Sequence, residues 1–253
     1  MMPRYARKKS DIGIFHIMLR GINKQTIFED DEDRRRFMET IERFKAVSKY
    51  EIYGYCLMSN HVHLLLKETE EAISTAIKRI CSSYVYWYNW KYERCGHLFQ
   101  ERYKSEIVEN DAYLLTVLRY IHQNPVKAGI SKSTQDYKWS SYNEYIKEPT
   151  ITDIEFILEI LSANREKALV LFIEHTIEQN DDKCLDYEEK VRLSDHEVRG
   201  YFTKIGLRNI SEIQHLERDR RNEIIRKLKT IEGVTIRQLS RITGISKSVI
   251  DRV

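Results

Sequence analysis

The sequence predicts an α+β fold: a ferredoxin-like (split βαβ) domain with an antiparallel sheet and added helices, followed by an all-α region with a helix-turn-helix. Three observations favour this fold. Strand-like and helix-like segments alternate over the first 125 residues, their order is β-α-β-β-α-β and then α, and the segments near the end of the chain are helical in pattern.

The first half of the pattern contains three strands and one helix. "GIFHIMLRG" is a β-rich run closed by Gly21 and predicts the first strand. "DDEDRRRFMETIERFKAVSKY" has apolar residues at helical spacing and acids in its first turn, which indicates a helix. "EIYGYCLMS" and "NHVHLLLKE" predict two further strands, joined by a turn at Ser59–Asn60.

The second half contains two helices around one strand. "EAISTAIKRICSSYVYWYNWKYE" carries an isoleucine-rich face at helical spacing. "GHLFQERYKSEIVE" predicts the fourth strand, with Arg102 and Lys104 on one face of it. "NDAYLLTVLRYIHQ" predicts a helix that Pro125 stops.

The distribution of charge predicts three regions. Residues 1–150 carry 24 Lys and Arg against 20 Asp and Glu, a balance of +4. Residues 151–185 carry 3 against 8, or −5, and residues 186–253 carry 15 against 11, or +4. We therefore expect a first domain at 1–150, an acidic helical connector at 151–185 and a C-terminal helical domain at 186–253.

The composition indicates a cytoplasmic protein. The four cysteines have neither CxxC spacing nor the rhythm of a disulfide framework. No apolar run approaches the ~20 residues needed to cross a bilayer, and the basic N-terminus is not followed by the apolar stretch of a secretory signal. We expect no membrane partner.

Two histidines lie one residue apart in the third predicted strand. Because side chains at i and i+2 of a strand point to the same side, His61 and His63 project together, while Val62, Leu64 and Leu66 face a core. Two neutral imidazoles on one rigid strand can share a divalent metal ion. The alternative is a pair of partly exposed histidines with no common role.

The last helix of the first domain offers further groups. Its apolar stripe contains Leu114, Val117, Leu118 and Ile121, and Tyr120 and Asn124 lie one turn apart on one flank of that stripe, with Gln123 further towards solvent. Spacing alone leaves two alternatives open. Tyr113 lies on the same flank, and Asn124 precedes a proline, so it could simply end the helix.

Several motifs, in this order along the chain, resemble the HUH-type single-tyrosine transposases, and within them the group related to REP-associated tyrosine transposases. They are "MPRYARK…FHIMLRGINKQTIFEDDEDRRRF", "SNHVHLLL", "GHLFQERYKS" and "LRYIHQNPVKAG". The resemblance spans residues 1 to about 146.

The resemblance implies a role for each site residue. His61 and His63 match the metal-binding histidine pair, Tyr120 matches the nucleophile, and Asn124 matches the polar metal ligand. Tyr120 is thereby selected over Tyr113. The implied metal is Mg²⁺ or Mn²⁺, although two histidines by themselves suit Mn²⁺ or Zn²⁺ better. The implied reaction is attack on single-stranded or hairpin DNA, with a 5′-phosphotyrosine link and a released 3′-OH, and the family implies a homodimer.

Basic residues of the first domain predict a track for the DNA backbone. They occur in the N-terminal arm, after the first strand and in the fourth strand region: Arg4, Arg7, Lys8, Arg20, Lys24, Arg102 and Lys104. The alternative is that these are solubilising surface charges.

The C-terminal "TIRQLSRITGISKSVIDRV" matches a helix-turn-helix template, in which Gly244 makes the turn. Leu239, Ile245, Ile250 and Val253 would form its core. The outward, DNA-facing residues would be Arg237, Arg241, Lys247, Ser248 and Arg252. Small helical domains that bind no nucleic acid also match this template.

The leading functional hypothesis is therefore a metal-dependent transposase that cuts and rejoins DNA at the nucleoid. Two alternatives stay open. One is a transposase-like DNA-binding regulator retained by the host, in which the tail does the main work. The other is a metal-dependent nuclease that forms no covalent link.

Overall fold

Four antiparallel strands form the sheet of the computed structural model, in the order β2-β3-β1-β4. They are β1 (Ile14–Arg20), β2 (Glu51–Leu57), β3 (His61–Lys67) and β4 (Lys104–Val108). Since β3 lies between β1 and β2, the βαβ unit is split, and the predicted ferredoxin-like arrangement is confirmed. The structure describes residues 10–100, 102–186, 193–207, 210–231 and 233–253.

The chain divides into two compact units, with the boundary between Asp186 and Tyr187. The helices of the first unit are α1 (Asp31–Ser48), α2 (Ile73–Lys91), α3 (Asp111–Lys127), α4 (Tyr142–Ile146), α5 (Glu155–Leu161) and α6 (Arg165–Ile177), with a short 3-10 turn at Ile22–Lys24. None of the helices within the described residues is long and apolar enough to span a bilayer.

One face of the sheet packs against α1 and α2. Val62, Leu64 and Leu66 point to this face and are at most 1% exposed, as strand alternation predicts. They meet Phe37 and Ile41 of α1, together with the buried face of α2. Helix α1 begins at a capping box between Asp30 and Asp33, which satisfies backbone N–H groups at its N-terminus.

The opposite face of the sheet packs against α3. The predicted apolar stripe of α3 (Leu114, Val117, Leu118 and Ile121) is buried there. Gly54 of β2 allows this close approach, because a Cβ atom at that position would lie 2.5 Å from Leu118 Cδ1. The acidic region contributes α5 and α6 to the same core through Ile157, Leu158 and Phe172.

The structure corrects two expectations about α3. The helix does not stop at Pro125 but runs to Lys127, because a proline in the last turn removes only one N–H from a ladder that is about to end. Gln123 does not point to solvent. It is 8% exposed and its amide donates to the carbonyls of Thr176 and Glu178, at the end of α6.

A third expectation, that Arg102 lies in the fourth strand, is also wrong. Phe99 forms an isolated β-bridge with Gly21, which directly follows β1, and Lys104 pairs with Met18 of β1. Two residues separate the β1 partners, whereas four separate Phe99 from Lys104, so the intervening chain bulges out of the ladder. Arg102 lies in this bulge and is exposed.

The second unit is helical. It contains α7 (Asp195–Lys204), a 3-10 turn (Ile210–Gln214), α8 (Arg218–Lys229), α9 (Ile236–Thr243) and α10 (Lys247–Arg252). Helix α9 ends at Gly244, whose φ of 72° is left-handed and suits a glycine. Leu239, Ile245 and Ile250 are buried in the core of this unit and Val253 packs against it, in agreement with the predicted interior.

Candidate active site

Sheet register brings three histidines to the α3 face. His63 pairs with Met18, and residues directly opposite in a ladder share a face. His16, two residues before Met18 on β1, therefore projects to the same side as His61 and His63. His16 and His63 are fully buried, and His61 is partly exposed at the end of β3.

Helix α3 brings Asn124 to the paired histidines. The Asn124 amide nitrogen lies 3.3 Å from His63 Nε2, and its oxygen Oδ1 lies 3.4 Å from His61 Nε2. The two imidazole rings have centroids 5.1 Å apart and stand nearly perpendicular. Three donor atoms from two elements that are distant in sequence thus converge on one small region.

Tyr120 lies one turn before Asn124 and faces the same histidines. Its ring centroid is 5.6 Å from that of His63, and only 7% of the residue is exposed. Its hydroxyl donates a 2.9 Å hydrogen bond to Asp186 Oδ2. Burial, reinforced by the Asp186 carboxylate, raises the pKa of Tyr120 well above its ordinary value, so the phenol is protonated at neutral pH.

Tyr113, the rival on the same flank, has a different environment. It lies two turns before Tyr120 on α3, and its side chain is influenced by Glu106 of β4. Its pKa is also raised, first by burial and then by Glu106. The tyrosine whose ring lies beside His63 is Tyr120.

The imidazoles of this cluster favour their neutral forms. Burial lowers the pKa of His63 well below its ordinary value, and the neighbouring His16 and His61 lower it further. Burial also lowers the pKa of His61 and of His16. A neutral imidazole keeps a nitrogen lone pair, which is what a metal ion needs from a histidine ligand.

The donor set suits a divalent cation. His61 Nδ1 lies 2.7 Å from Asn60 Oδ1, so its proton belongs on Nδ1, and Nε2 keeps its lone pair. That lone pair faces another acceptor, Asn124 Oδ1, and a cation between the two would satisfy both. Within the described residues, no three His, Cys, Asp or Glu side chains form such a cluster, and here the third donor is an amide.

Sequence reasoning missed three residues of this region: His16, Glu106 and Asp186. His16 Nε2 lies 2.9 Å from His63 Nδ1, and its Nδ1 lies 3.8 Å from Glu106 Oε2. His16 alternates with core residues in the first strand, so the sequence predicts which residues share its face of the sheet. Which residue of another strand lies beside it depends on the register between the strands. Asp186 comes directly after the acidic region 151–185, and no motif marks it in the sequence.

The predicted DNA-contacting residues of the first domain have different positions. Arg20 pairs with His61 and Lys104 with Met18, so both belong to the histidine-bearing face. Lys104 Nζ also lies 3.4 Å from the Asp186 carbonyl oxygen. Lys24 belongs to the 3-10 turn after β1, and Arg102 to the exposed bulge. Arg4, Arg7 and Lys8 lie outside the described residues.

The predicted contact residues of the tail are all exposed, namely Arg237, Arg241, Lys247, Ser248 and Arg252. One of them is engaged within its own unit. The Arg241 guanidinium forms an ion pair with Asp195 at the start of α7, at 2.5 Å. The exposed faces of α9 and α10 thus carry basic and hydroxyl groups.

Part of the chain matches a known protein family, and the chain is similar to a protein of related sequence and to a solved structure. Residues 11–124 match the family model described as "Transposase IS200 like". A Haemophilus influenzae protein named for the REP-associated tyrosine transposases is 26% identical over 161 residues, which are 58% of this chain and 89% of that protein. A solved REP-associated tyrosine transposase bound to a REP hairpin is 18% identical with a TM-score of 0.52, covering 61% of this chain and 96% of that one. At this identity the solved structure supports the fold.

Proposed function

We propose that this protein cuts and rejoins single-stranded or hairpin DNA through a covalent link to Tyr120, since residues 11–124 match the model of the IS200-like transposase family. The observation that carries the proposal is the meeting of Tyr120 and Asn124 with the His61–His63 pair on one face of the sheet. These are the groups needed for nucleophilic attack on a phosphodiester.

His61, His63 and Asn124 would hold a divalent metal ion, Mg²⁺ or Mn²⁺, through Nε2, Nε2 and Oδ1. Such an ion, when bound, would supply positive charge to polarise the scissile phosphate and to neutralise charge on its oxygens. The protein's own part is to keep both imidazoles neutral by burial, and to anchor His61 through Asn60.

Tyr120 is the nucleophile of the proposed reaction. Its phenolic oxygen bonds to phosphorus while the bond from phosphorus to the 3′-oxygen breaks, which leaves a 5′-phosphotyrosine link. The phenolic proton passes to Asp186 Oδ2, which already accepts its hydrogen bond, and the departing 3′-oxygen takes a proton from solvent water to become a 3′-OH. Attack of a 3′-OH on the same phosphorus reverses the step and rejoins strands.

A protonated phenol explains why a proton acceptor matters. Burial and the Asp186 carboxylate both raise the pKa of Tyr120, so a phenolate is disfavoured before the substrate arrives. Attack must therefore be coupled to proton transfer. Asp186 is the carboxylate within hydrogen-bonding distance of the hydroxyl.

Basic residues near the site would bind the DNA backbone. Arg20 and Lys104 share the face that carries the histidines, while Lys24 and Arg102 flank it along the chain. Arg4, Arg7 and Lys8 would extend this track. A hairpin substrate is favoured because a solved transposase of similar fold is bound to a REP hairpin.

The remaining regions have proposed roles of their own. Residues 1–150 would supply the nucleophile and the metal ligands of strand transfer. Residues 151–185, which pack in the same unit, would connect this domain to residues 186–253, and the helices of residues 186–253 would bind DNA as a helix-turn-helix domain. The pair α9 and α10, joined at Gly244, supports this, with Arg237, Arg241, Lys247, Ser248 and Arg252 as contact residues. The protein would act as a homodimer in the cytoplasm, on nucleoid DNA.

A labelled hairpin oligonucleotide tests the proposal. With Mn²⁺, a 3′-end label should appear in a covalent protein adduct on a denaturing gel, whereas a 5′-end label should appear in a shortened free strand. The adduct should be lost in Tyr120→Phe and retained in Tyr113→Phe, the matched control. Cleavage that persists in Tyr120→Phe would instead indicate a nuclease without a covalent intermediate, and binding without cleavage would indicate a DNA-binding regulator.

A further inference from the structure

His16 is a fully buried polar residue in the middle of β1, in contact with a histidine of the proposed metal site. Its Nε2 lies 2.9 Å from His63 Nδ1, and the two ring centroids are 5.2 Å apart. Its other nitrogen, Nδ1, lies 3.8 Å from Glu106 Oε2. That distance suits an electrostatic contact and is longer than a direct hydrogen bond.

The hydrogen-bond partners define where the protons lie. The Asn124 amide nitrogen is only a donor, so His63 Nε2, at 3.3 Å, accepts from it. A neutral His63 then carries its proton on Nδ1 and donates it to His16 Nε2. His16 in turn carries its proton on Nδ1, on the side of the Glu106 carboxylate.

We propose that His16, supported by Glu106, is a positioning residue that holds His63 in the tautomer able to bind metal through Nε2. This inference rests on the proposed function. In the opposite tautomer the Nε2 position would bear a hydrogen and could not act as a ligand. An acceptor behind a ligating histidine both selects its tautomer and orients its ring, and losing such a partner typically lowers metal affinity about 10–100-fold.

The sheet explains why this partner is a side chain. His63 is central in β3, and the backbone groups on either side of it belong to the ladders with β1 and β2. The acceptor must therefore come from a neighbouring side chain on the same face. Met18 of β1 is the direct partner of His63 in the β1–β3 register. His16 lies two residues before Met18 on the same strand and is therefore the diagonal neighbour of His63.

His122 provides a matched control for the substitution. It too is fully buried, its Nε2 lies 2.8 Å from Ser141 Oγ, and its ring packs among Tyr142, Tyr145 and Phe172. Replacing His122 by leucine should cost stability as His16→Leu does, without touching a ligand of the metal site.

The first experiment reads the tautomer directly in metal-free protein. Long-range ¹H–¹⁵N spectra should show His63 protonated at Nδ1 in the wild type and in His122→Leu, and should show that preference lost in His16→Leu. His16→Gln, whose amide oxygen restores an acceptor, should recover it. A wild-type His63 protonated at Nε2, or an unchanged tautomer in folded His16→Leu, would overturn the proposal.

The second experiment measures Mn²⁺ binding by the loss of the free-ion electron paramagnetic resonance signal. His16→Leu should weaken binding about 10–100-fold, Glu106→Gln less, and His122→Leu not at all. Equal losses in His16→Leu and His16→Gln would assign His16 a packing role and contradict the proposal. If the expected tautomer is found but no DNA adduct forms, the proposed strand transfer fails while the positioning of His63 stands.

Discussion

Tyr120 and Asp186 are joined by a 2.9 Å hydrogen bond although 66 residues separate them in sequence. Several contacts hold the Asp186 segment against the first unit. The Leu185 N–H donates to Glu106 Oε2, and Asp182 accepts from Arg119 of α3. The partner of the proposed nucleophile therefore comes from beyond residues 11–124, the part of the chain that matches the family model.

Asp186→Asn should slow formation of the covalent adduct about 100-fold in single-turnover assays, which is within the usual range for the loss of a general base. An amide cannot take up the phenolic proton that the carboxylate accepts. Asp181→Asn, an exposed acid in the same segment, is the control and should react like the wild type. Faster reaction of Asp186→Asn would show that the carboxylate holds the hydroxyl away from DNA.

Arg119→Met should lower the free energy of unfolding of the first unit by about 1–3 kcal/mol, because Arg119 is 8% exposed and its partner Asp182 is largely buried. The second partner, Glu178, is 64% exposed and contributes little. Urea denaturation measures the change. Arg165→Met removes an ion pair in which both side chains are more than half exposed. It should lower the free energy of unfolding by less than about 0.5 kcal/mol. Equal losses of stability in Arg119→Met and Arg165→Met would contradict the conclusion that the Arg119–Asp182 pair stabilises the first unit.

Glu144→Gln should destabilise the protein at neutral pH, and the difference should shrink in acid. Burial raises the pKa of Glu144, but hydrogen bonds from the Tyr55 hydroxyl and the Thr150, Ile151 and Thr152 N–H groups outweigh it, so the pKa is lowered. A lowered pKa gives stability that is present above the ordinary value of 4.5 and is lost as pH falls through the folded-state value.

Urea denaturation of wild type and Glu144→Gln between pH 7 and pH 3 checks this. The free-energy difference should be about 1–3 kcal/mol at pH 7 and should narrow below pH 4.5. Glu148→Gln, an exposed neighbour, serves as control. A difference that widens as pH falls would show that the carboxylate is not the stabilised form.

The double substitution Lys247→Ala with Arg252→Ala should weaken binding to duplex DNA and reduce the slope of log affinity against log salt by about 2, roughly one for each phosphate contact. Both residues are exposed on α10. Arg241→Ala should have a smaller effect because its guanidinium is already paired with Asp195. Fluorescence anisotropy at several salt concentrations gives the affinity and its salt dependence. Unchanged affinity in the double variant would contradict the proposal that the tail binds DNA.

Local periodicity was enough to predict much of the first unit. Strand alternation predicted that His61 and His63 share a face while Val62, Leu64 and Leu66 enter a core, and helical spacing predicted the buried stripe of α3. These properties repeat within a few residues, so neighbours in sequence decide them. The end of α3 and the strand position of Arg102 were predicted wrongly, because a helix tolerates proline in its last turn and a bulge interrupts the ladder.

The sequence by itself determined the order of the elements and the shared face of His61 and His63. Only the tertiary structure decided which groups surround them. Sheet register set His16 beside His63, and packing on α3 brought Asp186 to Tyr120. Register and long-range packing depend on the fit of whole surfaces, which period-two and period-3.6 patterns do not encode.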